Sequence, residues 1–323
     1  MRNFPTLQDI QAARERLKPH IQHTPLLRAE KIEKAVGCRL YLKPETLQIT
    51  GAFKIRGALN KALSLPREAI AKGLIATSSG NHAQGIAYAA RMLGVKAFIV
   101  VPVTTPRIKI ENTQALGAEV ILFDGDTAAR WKRVCEIAEE NNYTAVHGFE
   151  DPLVMAGQGT IGCEILEDLQ DVDTVIVPMG GGGLISGIAT AIKETNPAVR
   201  VIGAEPALTP KYFQSRINKE RTSLPLKDTI ADGLRISVPG QNPWPIIEKY
   251  VDEIVLVDDE HIIAGMRALA KDAKLIAEPA ASIGIGALLA GAVKVRPDEK
   301  VCAVLTGGNW NLGDLADVYK LAE

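Results

Sequence analysis

From about residue 73 the chain settles into a rhythm of short apolar runs alternating with longer stretches whose apolar positions recur every three or four residues. The pattern predicts strands in GLIATSS (73–79), KAFIVVP (96–102) and AEVILFD (118–124). Between and after them it predicts helices in HAQGIAYAARMLG (82–94), PRIKIENTQALG (106–117) and TAARWKRVCEIAEEN (127–141). A second block repeats the rhythm. Helices are expected in 155–169 and 184–195, and strands in DTVIVPM (173–179) and VRVIGAE (199–205). Later come the strand EIVLVDD, a helix from His261 to Lys274, the apolar stretch 280–295 and the strand VCAVL (301–305). Ahead of both blocks, Thr6 and Asp9 are placed to cap a helix running to about Leu17, and CRLYLKPE (38–45) alternates like a strand. Apolar strands that alternate with amphipathic helices make an α/β fold with largely parallel sheets and helices on both faces. The segment from Pro206 to Pro245 holds six prolines and is the least regular.

Length and composition narrow this picture. A chain of 323 residues, 46% hydrophobic, exceeds one typical domain and can bury a large core. A formal charge of −1 and aromatics at 5% give neither a field for phosphodiester backbones nor a platform for stacked bases, so nucleic acid is not expected as a partner. No run is long enough to span a bilayer, and MRNFPTLQDI lacks the apolar core of a signal peptide, so a cytoplasmic location away from membranes is expected. Cys38, Cys135, Cys163 and Cys302 are scattered without a C-x-x-C pair, as buried thiols in a reducing compartment would be.

In such sheets ligands bind beyond the carboxyl ends of strands, which directs attention to the turns there. Gly180–Leu184 (GGGGL) follows a strand and opens a helix, so its backbone is suited to approach an anion closely. A dinucleotide competes for this loop, because Gly181, Gly183 and Gly187 are spaced like a variant fingerprint and Glu205 ends the next strand, where a ribose acceptor would sit. Ser78–His82 (SSGNH) offers hydroxyls, a glycine and an amide at another helix start, which suits a carboxylate or phenolate oxygen; ordinary helix capping is the plain alternative. Lys54, between Phe53 and Ile55, would open a helix in an apolar setting that favours the neutral amine of a Schiff-base lysine, although the motif alone leaves an ordinary surface lysine as the plain alternative. Thr306–Asn309 (TGGN) follows the strand VCAVL.

Taken in this order, with HTPLL (23–27) and AGQGTIGCEIL (156–166), these motifs resemble the fold-type II pyridoxal phosphate (PLP) enzymes, in particular the threonine/serine dehydratases and serine racemases. The resemblance runs along most of the chain and favours PLP over NAD(P). It implies the tryptophan synthase beta-like architecture of two open, twisted, mostly parallel sheets. A large PLP-binding domain of 1–68 and 150–323 and a small domain of 69–149 are expected, with no C-terminal regulatory domain. Lys54 is then expected to hold the cofactor as an internal aldimine and to act as general base. Phe53 would pack on the pyridine face, Gly180, Gly181, Gly182, Gly183 and Leu184 would bind the phosphate, and Asn81 would bond the ring hydroxyl. Ser78, Ser79, Gly80, Asn81 and His82 would take the substrate carboxylate. Thr306, where the family usually has Ser, would meet the pyridine nitrogen.

The reaction implied is α,β-elimination of water from a small L-hydroxy amino acid of the threonine/serine type, giving a 2-oxo acid and ammonia, in a homo-oligomer (dimer or tetramer). A racemase or bifunctional enzyme, 3-hydroxyaspartate dehydratase included, is the alternative. Ser79 stands where serine racemases carry a second acid/base, whereas Phe149 in HGFEDP resembles the dehydratase version of its segment. Glu205 matches a metal ligand of the racemases, but Lys211 stands where the next acidic ligand would, so no metal residue is assigned. Glu278 matches a glutamate near the cofactor edge, and Trp310 stands where smaller residues are common. An NAD(P)-binding or non-catalytic α/β protein is the reading from another class.

Overall fold

The computed structural model describes residues 3–105 and 107–320. Its ten strands form two sheets. The strands are β1 (Leu27–Arg28), β2 (Arg39–Pro44), β3 (Leu74–Thr77), β4 (Ala97–Pro102), β5 (Ala118–Phe123), β6 (Thr144–Ala145), β7 (Thr174–Pro178), β8 (Arg200–Pro206), β9 (Glu253–Val257) and β10 (Lys300–Leu305). The larger sheet has the order β1-β2-β10-β7-β8-β9 and the smaller β5-β4-β3-β6. All pairings are parallel except β1 with β2. Central strands read as continuous apolar runs because helices cover both faces: every residue of β7 is buried, as is VCAVL in β10.

The expected alternation is present, with informative differences at the edges. Thr6 and Asp9 form a reciprocal capping box at the helix Leu7–Leu17. The helix expected over 106–117 spans Arg107–Ala115, and Pro106 lies outside the described residues. The helix expected to reach Lys274 is α-helical only over Asp259–Ala268 and then widens into a π turn, Leu269–Ala273, ending on Lys274 at φ 60°. The short β1 and β6 carry too few residues to show a period. The proline-rich segment holds a helix, Lys211–Asn218, and part of another, Pro243–Tyr250.

Close backbone contact sets the position of the Lys54 helix (Lys54–Leu63). It packs on the helix Pro152–Asp168, where a Cβ on Gly157 would lie 2.5 Å from the Arg56 carbonyl oxygen. Arg56, fully buried, locks the same junction. Its guanidinium donates to both Glu45 oxygens at 2.8 Å and to Glu164 at 2.6 and 2.9 Å. Lys43, also fully buried, reaches Glu164 at 2.7 Å. Buried charges persist only when paired this fully. The network fixes the helix that begins with Lys54.

Candidate active site

Lys54 is the first residue of its helix and is half-buried. Its Nζ donates to the Gly148 carbonyl at 3.1 Å and lies 5.0 Å from the centroid of the Phe53 ring. Burial pulls its pKa down to about 8 from an ordinary 10.5, with the Glu278 carboxylate pulling the other way. Near physiological pH a larger fraction of the amine is therefore neutral than in an exposed lysine, and the neutral form is the nucleophile.

The glycine loop has the donor set of an anion site. It leads into the helix Gly183–Thr195, and among the described residues the amides of Gly180 to Ile185 donate to no protein acceptor. Gly182 sits at φ 96°, where a Cβ would meet the Tyr212 hydroxyl at 2.1 Å. Both facts demand glycine. Tyr212 Oη donates to the Gly181 carbonyl at 2.8 Å and accepts from the Gly240 amide at 3.0 Å. Phe149 lies against Gly181 and Gly183 from the other side, one residue beyond the carbonyl that holds Lys54. The proline-rich segment therefore lies on this loop: Gly240 approaches the Gly181 carbonyl, and Gly233 and Leu234 border Gly180.

The second turn precedes the helix Asn81–Leu93, which packs directly on the Lys54 backbone at Gly85. Ser78 Oγ accepts from the Gly80 amide at 3.1 Å. The amides of Ser79, Asn81, His82 and Ala83 donate to no protein acceptor among the described residues, and neither does the Ser79 hydroxyl. A carboxylate would fit there. The His82 ring points its hydrogen bond elsewhere: Nε2 donates to the Val146 carbonyl at 3.1 Å, and burial, then the nearby Lys54 charge, lowers its pKa to about 3. Its backbone amide, not its ring, suits the anion. Burial likewise lowers His147 to about 4; its Nδ1 accepts from the Phe149 and Glu150 amides, and its ring meets Trp131 and Phe149 edge to face.

The third turn closes the site. The Phe53 amide donates to the Thr306 carbonyl at 3.0 Å, while the Thr306 hydroxyl makes no hydrogen bond to protein among the described residues. Gly307 adjoins Ala52, Glu278 and Asn81. Asn81 Nδ2 donates to Glu278 at 2.9 Å, and its Oδ1 accepts from Asn309 at 3.0 Å. Burial raises the Glu278 pKa to about 7, opposed first by the Asn81 hydrogen bond. Trp310 is half-buried, and its amide donates to the Gly308 carbonyl at 2.9 Å.

The four motifs thus lie near one another: Phe53 bonds Thr306, Gly85 packs on Lys54, and Phe149, next to the Gly148 carbonyl that holds Lys54, borders Gly181. Sequence reasoning missed the Gly148 carbonyl, Tyr212 and the Asn309 hub. The first and last act through groups common to any loop. Tyr212 acts across 31 residues with no motif of its own.

Comparison with known proteins agrees. The family model described as pyridoxal-phosphate dependent enzyme matches residues 17–307. An L-threonine ammonia-lyase of Geobacter sulfurreducens is 46% identical over 311 residues, 96% of this chain and 77% of that protein. A catabolic L-threonine dehydratase of Staphylococcus aureus is 42% identical over 318 residues, 98% of this chain and 92% of that one. Maize serine racemase superposes with a TM-score of 0.92 at 36% identity, covering 98% of each chain. The chain belongs to the pyridoxal-phosphate dependent enzymes of fold type II.

Proposed function

We propose that this chain is a PLP-dependent dehydratase that releases a 2-oxo acid and ammonia from a small L-hydroxy amino acid, threonine or serine. The observation that carries this is the convergence of a burial-depressed lysine amine with two helix N-termini whose amides have no protein partner. Two anions are accommodated: the cofactor phosphate on Gly180–Leu184 and the substrate carboxylate on Ser78–His82. The unbonded Thr306 hydroxyl suits the ring nitrogen, Phe53 suits the ring face, and Asn81 keeps one Nδ2 hydrogen for the ring hydroxyl.

Bound there, PLP supplies the electron sink that acidifies the substrate α-carbon. Lys54 would hold PLP, and its amine, when free and neutral, would take the substrate α-proton. A threonine hydroxyl at the ring nitrogen does not hold a proton there as a carboxylate would, which favours prompt loss of the β-hydroxyl over transamination. The relatives named above as threonine ammonia-lyase and dehydratase support this assignment. The two-sheet partition supports a small domain of 69–149 set against 1–68 and 150–323.

Racemisation is a second reading, carried by the half-buried, unbonded Ser79 hydroxyl in the carboxylate turn. Incubation with L-threonine and L-serine, scored for 2-oxo acid and for D-serine by chiral chromatography, separates the two. Oxo acid should dominate, and Lys54→Ala should abolish it. D-serine formed faster than pyruvate would overturn the dehydratase assignment. Loss of D-serine alone in Ser79→Ala would locate the second base.

A further inference from the structure

A lysine ammonium lies fully buried directly beneath the glycine loop. Lys211 opens the helix Lys211–Asn218, and neither it nor Glu205 has any exposed surface. Its Nζ is 2.9 Å from Glu205 Oε1, 3.2 Å from the Met179 carbonyl and 3.4 Å from the Leu234 carbonyl. Three N–H groups thus face three oxygens, and the ammonium is fully partnered. Glu205 also accepts the Tyr212 and Phe213 amides at 3.1 and 2.9 Å, so one carboxylate both neutralises the lysine and caps its helix.

What the ammonium joins is the telling part. Met179 immediately precedes Gly180, and Leu234 ends the turn that borders Gly180. The next residue on the same helix, Tyr212, bonds the Gly181 carbonyl. Carbonyls on the loop's underside are thereby turned inward, toward Lys211 and Tyr212, which leaves the amides free to face an anion. A plain stabilising ion pair would need no link to the residues flanking the loop.

We propose that Lys211 is a positioning residue, a built-in cation that holds the glycine loop in its anion-binding shape. Removing the ammonium leaves a cavity lined by one carboxylate and two carbonyl oxygens, the donor set of a small-cation site. The proposal rests on the reading that this loop binds the cofactor phosphate.

The test is titration of PLP into cofactor-free protein, followed by absorbance, in choline buffer and with added potassium, ammonium or magnesium chloride. The unchanged protein should bind PLP equally in all four. Lys211→Ala should bind about tenfold or more weakly in choline, the effect of losing one charge-assisted hydrogen bond on a binding constant, and should recover with at least one added cation. Glu205→Gln added to Lys211→Ala should abolish the recovery. The neutral pair Lys211→Met/Glu205→Gln guards against misfolding: it should bind weakly and ignore every cation. Undiminished PLP binding in either Lys211 variant, or weakened binding in a folded Lys211→Ala that no cation restores, would overturn the proposal. If the unchanged protein bound no PLP, the underlying reading would fail instead. The thermal midpoint of cofactor-free Lys211→Ala would then still decide, rising with cation if the cavity is a cation site and staying level if it is not.

Discussion

The protonation of Lys54 is set by two opposing influences, and their signs make a prediction. Burial disfavours the ammonium and brings the amine to about 8, while the Glu278 charge favours it. Only the neutral amine captures an aldehyde, so PLP capture by cofactor-free protein should accelerate as pH rises through about 8. Glu278→Gln removes the raising influence, so the midpoint should move to lower pH. A midpoint that moved up would show that Glu278 acts on Lys54 in some other way. Glu278 itself has a second signature. Its folded pKa of about 7 exceeds the ordinary 4.5, so the folded state holds the extra proton between those values. Its contribution to stability is fully present below about 4.5 and is lost as pH rises through 7. Glu278→Gln should flatten that part of the curve of unfolding midpoint against pH. Lys54 was legible in the sequence only through the ordered set of distant motifs, because its apolar neighbours and helix start alone do not displace the plain reading of a surface lysine. The Gly148 carbonyl that holds it was not, because a contact across 94 residues leaves no local mark.

At the scale of elements, two rigid junctions hold the site. One is the Arg56 network, where a buried cation spans Glu45 and Glu164. Arg56→Met leaves the buried Glu45 carboxylate without a cation and Glu164 with Lys43 alone, and should lower unfolding free energy by about 3–5 kcal/mol. Arg107→Ala, which breaks an exposed pair with Glu111, should change it by less than about 1 kcal/mol. Denaturant unfolding of both variants checks the contrast, and equal losses would contradict it. The other junction is the glycine loop. Gly182→Ala forces an alanine to φ 96°, at about 1–2 kcal/mol, and drives its Cβ into the Tyr212 hydroxyl. Its larger effect should fall on PLP affinity. Tyr212→Phe keeps the shape but gives up the bond to Gly181, and should weaken PLP less than Gly182→Ala. The parallel strands and their glycine turns were readable because burial on both faces and backbone approach to an anion each constrain residue type. The π turn at Leu269–Ala273 was not, since its apolar spacing continues that of the preceding helix.

Across the whole molecule, the site draws on both sheets. Lys54, the glycine loop and Thr306 come from segments associated with the larger sheet, and Ser78–Asn81 follow β3 of the smaller. Ala83, Ile86 and Ala87 of the helix Asn81–Leu93 share a buried apolar cluster with Ile55, Ala58 and Leu59 of the Lys54 helix, and polar links join the two sets at the site. Asn81 bonds Glu278 and Asn309, and Lys109 meets Asp232 at 3.2 Å with both side chains largely exposed. An exposed pair adds at most about 1 kcal/mol, so the shared apolar cluster is the main coupling between them. The order of motifs made this convergence legible, but no motif encodes the span of the cleft. A cofactor that touches both sets adds to that coupling. At a PLP concentration of about 100 times its dissociation constant, binding adds about 2.7 kcal/mol to the folded state. The thermal midpoint should therefore rise by several degrees on loading. Asn309→Ala, which cuts the Asn81 link but leaves the lysine and the phosphate loop intact, should lower the cofactor-free midpoint and shrink the PLP-induced rise, because Asn81 loses the partner that fixes its amide. A PLP-induced rise as large as in the unchanged protein would mean that Asn309 has no part in positioning Asn81 for the cofactor.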